Sequence, residues 1–159
     1  MNQDLFAKYL EQRDNVYIKR ALTDTSYKNY FSRFEKKEFV GETNKELATL
    51  GDAILKSILC ILFLDRETPL SNYVQNFLTD QVLVEVIAKE YKLIDIIKFD
   101  REDDKIPKDY KYSENKETHK FIATAVEALI GAIYFSTNSL VELQEIIKKW
   151  INIINVENI

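Results

Sequence analysis

One cysteine, one histidine, two prolines and three glycines are spread through 159 residues, and each scarcity removes a class of protein. With Cys60 alone there is no disulfide framework and no cysteine metal knuckle; within Ile58-Leu59-Cys60-Ile61-Leu62 it reads as a small core hydrophobe. His119 alone, between Thr118 and Lys120, leaves almost no material for a nucleophilic triad or a histidine metal site. Gly41, Gly51 and Gly131 are too isolated to form a phosphate-cradling loop. Together with Pro69 and Pro107 they are too few for the tight turns of a sandwich or barrel. Nor is there a basic N-terminal leader, or an apolar run of the roughly 20 residues that a membrane span needs, so a soluble cytoplasmic protein is expected. Positive charge is not in excess either. Lys plus Arg number 22 against 26 Asp plus Glu, and the net −4 argues against a generic polycationic nucleic-acid binder while leaving room for a local basic stripe.

What is present is helical material. Hydrophobic residues make up 46% of a chain of ordinary single-domain length, so one all-α domain over residues 1–159 is expected. Apolar spacing predicts helices at 3–12, 15–23, 45–64, 71–91, 92–98, 117–136 and 141–154. Thr23-Asp24-Thr25-Ser26 breaks the chain after the second helix. Residues 32–42 read as a charged connector with anchoring aromatics, and residues 100–109 as a charged loop. Tyr27, Tyr30, Phe31 and Phe34 read as core, and Thr43 to Glu46 has the order of a capping box. Leu47, Leu50, Ile54, Ile58 and Leu62 mark a helix wrapped on nearly all sides. Ala123, Ala128, Gly131 and Ala132 let another helix come close to 117–136.

Two acids interrupt these apolar helices. At roughly 100° per residue, Asp52 shares a face with Lys45, Thr49 and Lys56, and Glu127 shares one with Lys120 and Thr124. Read alone, each is the ordinary solvent-facing position of an amphipathic helix, and spacing does not bring the two together. If the chain is an enzyme, carboxylate and divalent-metal chemistry is what its residues leave open.

Three segments resemble one family. Asn44 to Leu55, reading Asn-Lys-Glu-Leu-Ala-Thr-Leu-Gly-Asp-Ala-Ile-Leu, resembles the signature helix of the ribonuclease III family, usually Asn-Glu-Arg-Leu-Glu-Phe-Leu-Gly-Asp-Ala-Val-Leu. Ala21 to Tyr27 resembles the family's Ala-Leu-Thr-His-Arg-Ser-Tyr, and Ala123 to Tyr134 resembles its Ala-Asp-x-x-Glu-Ala-Leu-Ile-Gly-Ala-Ile-Tyr. Three ordered matches at suitable separations are far more specific than any one of them.

The resemblance implies an all-helical homodimer of the kind that cleaves double-stranded RNA with Mg²⁺ or Mn²⁺. It makes Asp52 and Glu127 two of four metal-binding carboxylates and candidate catalytic residues. The other two are replaced: Ala48 stands where the family has Glu, and Thr124 where it has Asp. At the edge of the cleft Lys45 replaces an acid, Lys56 stands where a small residue is common and can pair with Asp52 at i,i+4, and Glu67 aligns loosely with a further cleft acid. The losses shift the formal charge of the site by about four units, against cation binding. Glu42, Glu46 and Glu67 are the acids at hand for a rescue, but Glu46 lies on another side of the helix from Ala48. The chain ends at Ile159, past its last helix, so no double-stranded-RNA-binding domain of the kind common bacterial members append is expected. The leading expectation is a ribonuclease III-fold protein that binds or assembles structured or double-stranded RNA with metal-dependent cleavage lost or strongly weakened. The alternatives are an active Mg²⁺-dependent endoribonuclease with a rearranged site, and a helical protein–protein interaction module.

Overall fold

The computed structural model describes residues 4–66, 69–100 and 116–157. The predicted charged loop beyond Asp100, and Glu67, lie outside the described residues. Among the described residues there is no strand, only an isolated bridge between Thr23 and Lys98, and the all-α expectation holds.

The chain begins with two short capped helices. Asp4 caps α1 (Leu5–Leu10) by accepting from the Ala7 amide at 3.1 Å, and Asn15 caps α2 (Val16–Ala21) by accepting from the Tyr17 and Ile18 amides at 2.8 and 3.2 Å. The predicted break comes next, where Asp24 takes bonds from the Ser26 amide and hydroxyl at 3.1 and 2.6 Å. The connector predicted at 32–42 is corrected: α3 (Tyr27–Glu35) occupies its first part, ending at Lys36 in the left-handed region with φ 54°. Its aromatics recur at helical spacing, and the dense charge of 33–38 conceals that pattern from a reading by composition. Nor are they core. No residue of α3 is buried, and Tyr27, Tyr30, Phe31 and Phe34 form with Phe39 a half-exposed ring cluster on the surface.

The capping box at Thr43 to Glu46 does not form. The N-cap of α4 (Lys45–Phe63) is Asn44, whose side chain makes no capping bond: Nδ2 donates to the Ala21 carbonyl at 3.2 Å, and Oδ1, the atom that would accept from the helix, is buried without a partner among the described residues. The Asn44 amide bonds the Thr23 carbonyl at 2.9 Å, and Arg20 Nε bonds the Thr43 carbonyl at 3.1 Å. These bonds tie the start of α4 to the end of α2. The helix predicted at 71–91 is divided: α5 (Leu70–Phe77) stops at Leu78, and Thr79 caps a new start by accepting from the Val82 amide at 3.2 Å. The second piece runs as α6 (Asp80–Val82), a π turn (Leu83–Ile87) and α7 (Ala88–Glu90). At 92–98 only the 3₁₀ turn Leu93–Asp95 is helical, since Lys92 adopts φ 53°. Cys60 is half-buried on the flank of α4 and not in the core.

The core is the crossing of α4 with α8 (Lys116–Thr137), closed by α2, the π turn and α9 (Val141–Glu157). Leu55, Ile58 and Leu59 of α4 and Ile122, Val126, Leu129, Ile130 and Ile133 of α8 are all buried in one apolar cluster. Each such side chain contributes about 1.5–3 kcal/mol on leaving water. By length and composition the stretch His119–Thr137 could cross a membrane, but it is the central helix of this core, with most of its apolar side chains packed inside the protein. Gly51 and Gly131 set the crossing distance: a Cβ on Gly51 would lie 1.6 Å from the Glu127 carbonyl oxygen, and one on Gly131 would lie 2.2 Å from that of Leu47. Two backbones in direct contact bring the residues beside those glycines together as well.

Candidate active-site cleft

Asp52 follows Gly51, and Glu127 is the residue whose backbone Gly51 touches, so the crossing that packs the core also gathers the polar residues. A cleft of about 660 Å³ lies between the helices. From α4 and its cap it is lined by Asn44, Lys45, Ala48, Thr49 and Asp52; from α8 by Lys120, Thr124 and Glu127; Thr25 adds the edge before α3. The crossing brings the two acids to one cleft, with Glu127 half-buried in it and Asp52 keeping a solvent-exposed side chain. Asp52, Glu127, Ala48, Thr124 and Lys45 converge, whereas Glu42 turns to Arg20 at 2.7 Å, and neither Glu42 nor Glu46 lines the cleft.

The two acids differ in their surroundings. Lys56 Nζ is 2.8 Å from Asp52 Oδ2, the i,i+4 pair expected from the spacing, and this hydrogen bond together with the Asp52 charge holds the Lys56 ammonium above its usual pKa. Both side chains are more than a third exposed, at 56% and 39%, so the pair fixes geometry more than it adds stability. Glu127 is pushed up to about 7, first by burial, then by the Asp52 and Asp80 carboxylates, with Lys56 and Lys120 opposing. Asp80, which no sequence argument singled out, acts on the site from the start of α6. Thr25 and Asn44 were missed too; both belong to the segments that resemble the family.

The raised Glu127 pKa has a sign. The folded protein holds a proton that the unfolded chain releases near 4.5, so stability from this group is full below that pH and is lost as pH rises through about 7. Glu127→Gln removes the cost of the ionised form. It should stabilise the protein by about 1–2 kcal/mol at pH 8, after allowance for partial solvent screening, and change little at pH 5. Melting curves at the two pH values check this, and an equal shift at both would contradict it.

A divalent cation of the Mg²⁺ kind asks for several hard oxygen ligands and gains from formal negative charge around it. The donor set does not fit. One of two carboxylates is bound by lysine, the other is held by burial well above the usual carboxylate range, and Ala48 and Thr124 bring no carboxylate. Among the described residues no group of three or more His, Cys, Asp or Glu side chains could hold a metal ion.

Comparison with solved structures returns the 2.2 Å crystal structure of the nuclease domain of ribonuclease III from Campylobacter jejuni, at 22% identity and a TM-score of 0.61. The alignment covers 94% of this chain and 93% of that one, and it shows a shared fold. The comparison with curated proteins gives no match. The family model described as Ribonuclease-III-like matches residues 14–153, which include α2 through most of α9 and every residue of the cleft. The chain belongs to the ribonuclease-III-like family.

Proposed function

We propose that the protein binds double-stranded or structured RNA at the α4–α8 cleft and cuts it weakly or not at all, acting in RNA binding or ribonucleoprotein assembly. The observation that carries this reading is the Lys56–Asp52 ion pair in a cleft where Ala48 and Thr124 supply no further carboxylates. Family membership supports RNA as the partner. The juxtaposition of Asp52 and Glu127 favours a second reading, an active Mg²⁺- or Mn²⁺-dependent endoribonuclease with a rearranged site.

The working form in this reading is a cytoplasmic homodimer. Along α4, Ala53, Ser57, Ile61 and Leu64 recur at helical spacing on an exposed strip, with Ile61 and Leu64 at 55% and 69% exposure, and a second copy is the natural cover for it. Light scattering at micromolar concentration should give about twice 18.7 kDa, and 18.7 kDa would reject the dimer. A labelled RNA duplex titrated in EDTA should shift at low salt and be released as salt rises, since phosphate contacts displace counterions. No shift at low salt would favour a protein–protein interaction module instead.

A further inference from the structure

We infer that the α4–α8 cleft takes a phosphate oxyanion of the RNA backbone directly on Lys45 and Lys120, without a bridging metal. This rests on the RNA-binding reading above and names the group that the cleft recognises. In the lining Lys45 and Lys120 balance Asp52 and Glu127, and just beyond it Lys56 and Asp80 offset each other, so the cleft carries no net formal charge and its free ammonium groups are what an anion would meet. Lys56 is occupied by Asp52. Lys45 on the first turn of α4 and Lys120 on α8 both line the cleft, are exposed, and make no ion pair of their own among the described residues.

Hydroxyls complete the donor set. Thr49 and Thr124 line the cleft one turn beyond the two lysines, and each gives its hydrogen to the lysine carbonyl, at 3.3 and 3.2 Å. Such a hydroxyl can rotate toward a ligand oxygen and leave the helix ladder intact. Thr25 adds a third hydroxyl from the opposite edge. The start of α4 opens here too. Its cap residue Asn44 has turned its amide to Ala21, so the positive end of a 19-residue helix carries no side-chain cap. Ammonium groups and hydroxyl donors around an open cleft match a phosphodiester, whose oxygens accept and do not donate. At the two positions where the resemblance calls for carboxylates, Ala48 removes a negative charge and Thr124 substitutes a donor, and both changes favour the same ligand.

The test uses the full chain in EDTA, with pyrophosphate as a small probe and a labelled RNA duplex as the large one. Pyrophosphate should raise the melting temperature of the parent beyond chloride at matched ionic strength. The Lys45→Ala/Lys120→Ala variant should melt like the parent without ligand, because both side chains are exposed, and should lose the pyrophosphate response. On the duplex its affinity should fall about tenfold or more and its log–log salt slope by about one, for the one phosphate that the two lysines neutralise. Lys45→Arg/Lys120→Arg should retain both. An undiminished pyrophosphate response in the alanine variant would overturn the assignment. Duplex binding that the alanine variant keeps, with its salt slope unchanged, would overturn the cleft as the phosphate site while leaving RNA binding in place. A parent that binds no duplex would overturn the RNA reading itself.

Discussion

Gly51→Ala is expected to destabilise the protein by about 3–5 kcal/mol, although alanine is intrinsically the better helix residue by about 1 kcal/mol. The sign is decided by the crossing. The added Cβ would sit 1.6 Å from the Glu127 carbonyl oxygen, a backbone atom in the middle of α8, so the helices must part and the buried packing between α4 and α8 must loosen. Gly131→Ala, at 2.2 Å from the Leu47 carbonyl oxygen, should behave alike, and because both act on one crossing their effects should add incompletely. Gly41→Ala is the control: its Cβ meets the Phe39 ring at 2.9 Å on an exposed connector, where the ring can move aside. Urea denaturation of the three variants measures this. A Gly51→Ala protein as stable as the parent would mean that α4 and α8 do not meet as described, and the convergence of Asp52 and Glu127 would fall with it.

The largest gain expected is in metal response. Ala48→Glu with Thr124→Asp puts carboxylates at both emptied positions, giving four around the cleft with Asp52 and Glu127. Without metal the double variant should be less stable than the parent, since Ala48 is only 8% exposed and four like charges are crowded together. With Mn²⁺ at a hundredfold excess over its dissociation constant it should regain about 2.7 kcal/mol, whereas the parent should gain almost nothing. Adding Lys45→Glu should strengthen both effects, because that ammonium otherwise offsets part of the new charge. Melting temperatures with and without Mn²⁺ decide the matter. A metal-independent melting curve for the double variant would show that positions 48 and 124 do not face one site.

Legibility from sequence tracked the range of the forces involved. The Lys56–Asp52 pair is local, so its i,i+4 spacing announced it. The helices α4 and α8 are long, strongly periodic and carry small residues, so their existence and close approach could both be read. The meeting of Asp52 with Glu127 could not be read from periodicity, because it depends on where two helices cross; the pattern marks an inward face but gives no crossing point. Only the family resemblance anticipated it. Asp80 was hidden for the same reason, since it reaches Glu127 through the placement of α6. The failures nearer the surface have other causes. In α3 a run of charges obscured an amphipathic helix. At Leu78-Thr79 an apolar pattern continues across a break that one hydroxyl cap imposes. At Thr43 to Glu46 the capping box lost to hydrogen bonds made by Asn44 and Arg20 across the α2–α4 junction, a competition that no local motif records.

RNA binding without efficient metal-dependent cutting is tested by a binding and a cleavage readout on the same sample. A labelled RNA duplex is incubated at low salt with freshly purified protein and Mg²⁺ or Mn²⁺, in parallel with an excess of EDTA, and products are separated both natively and under denaturation. The duplex should be shifted in both conditions and its strands intact in both. Strands cut only in the presence of metal, with cutting abolished by Asp52→Asn, would contradict this reading and establish a working nuclease.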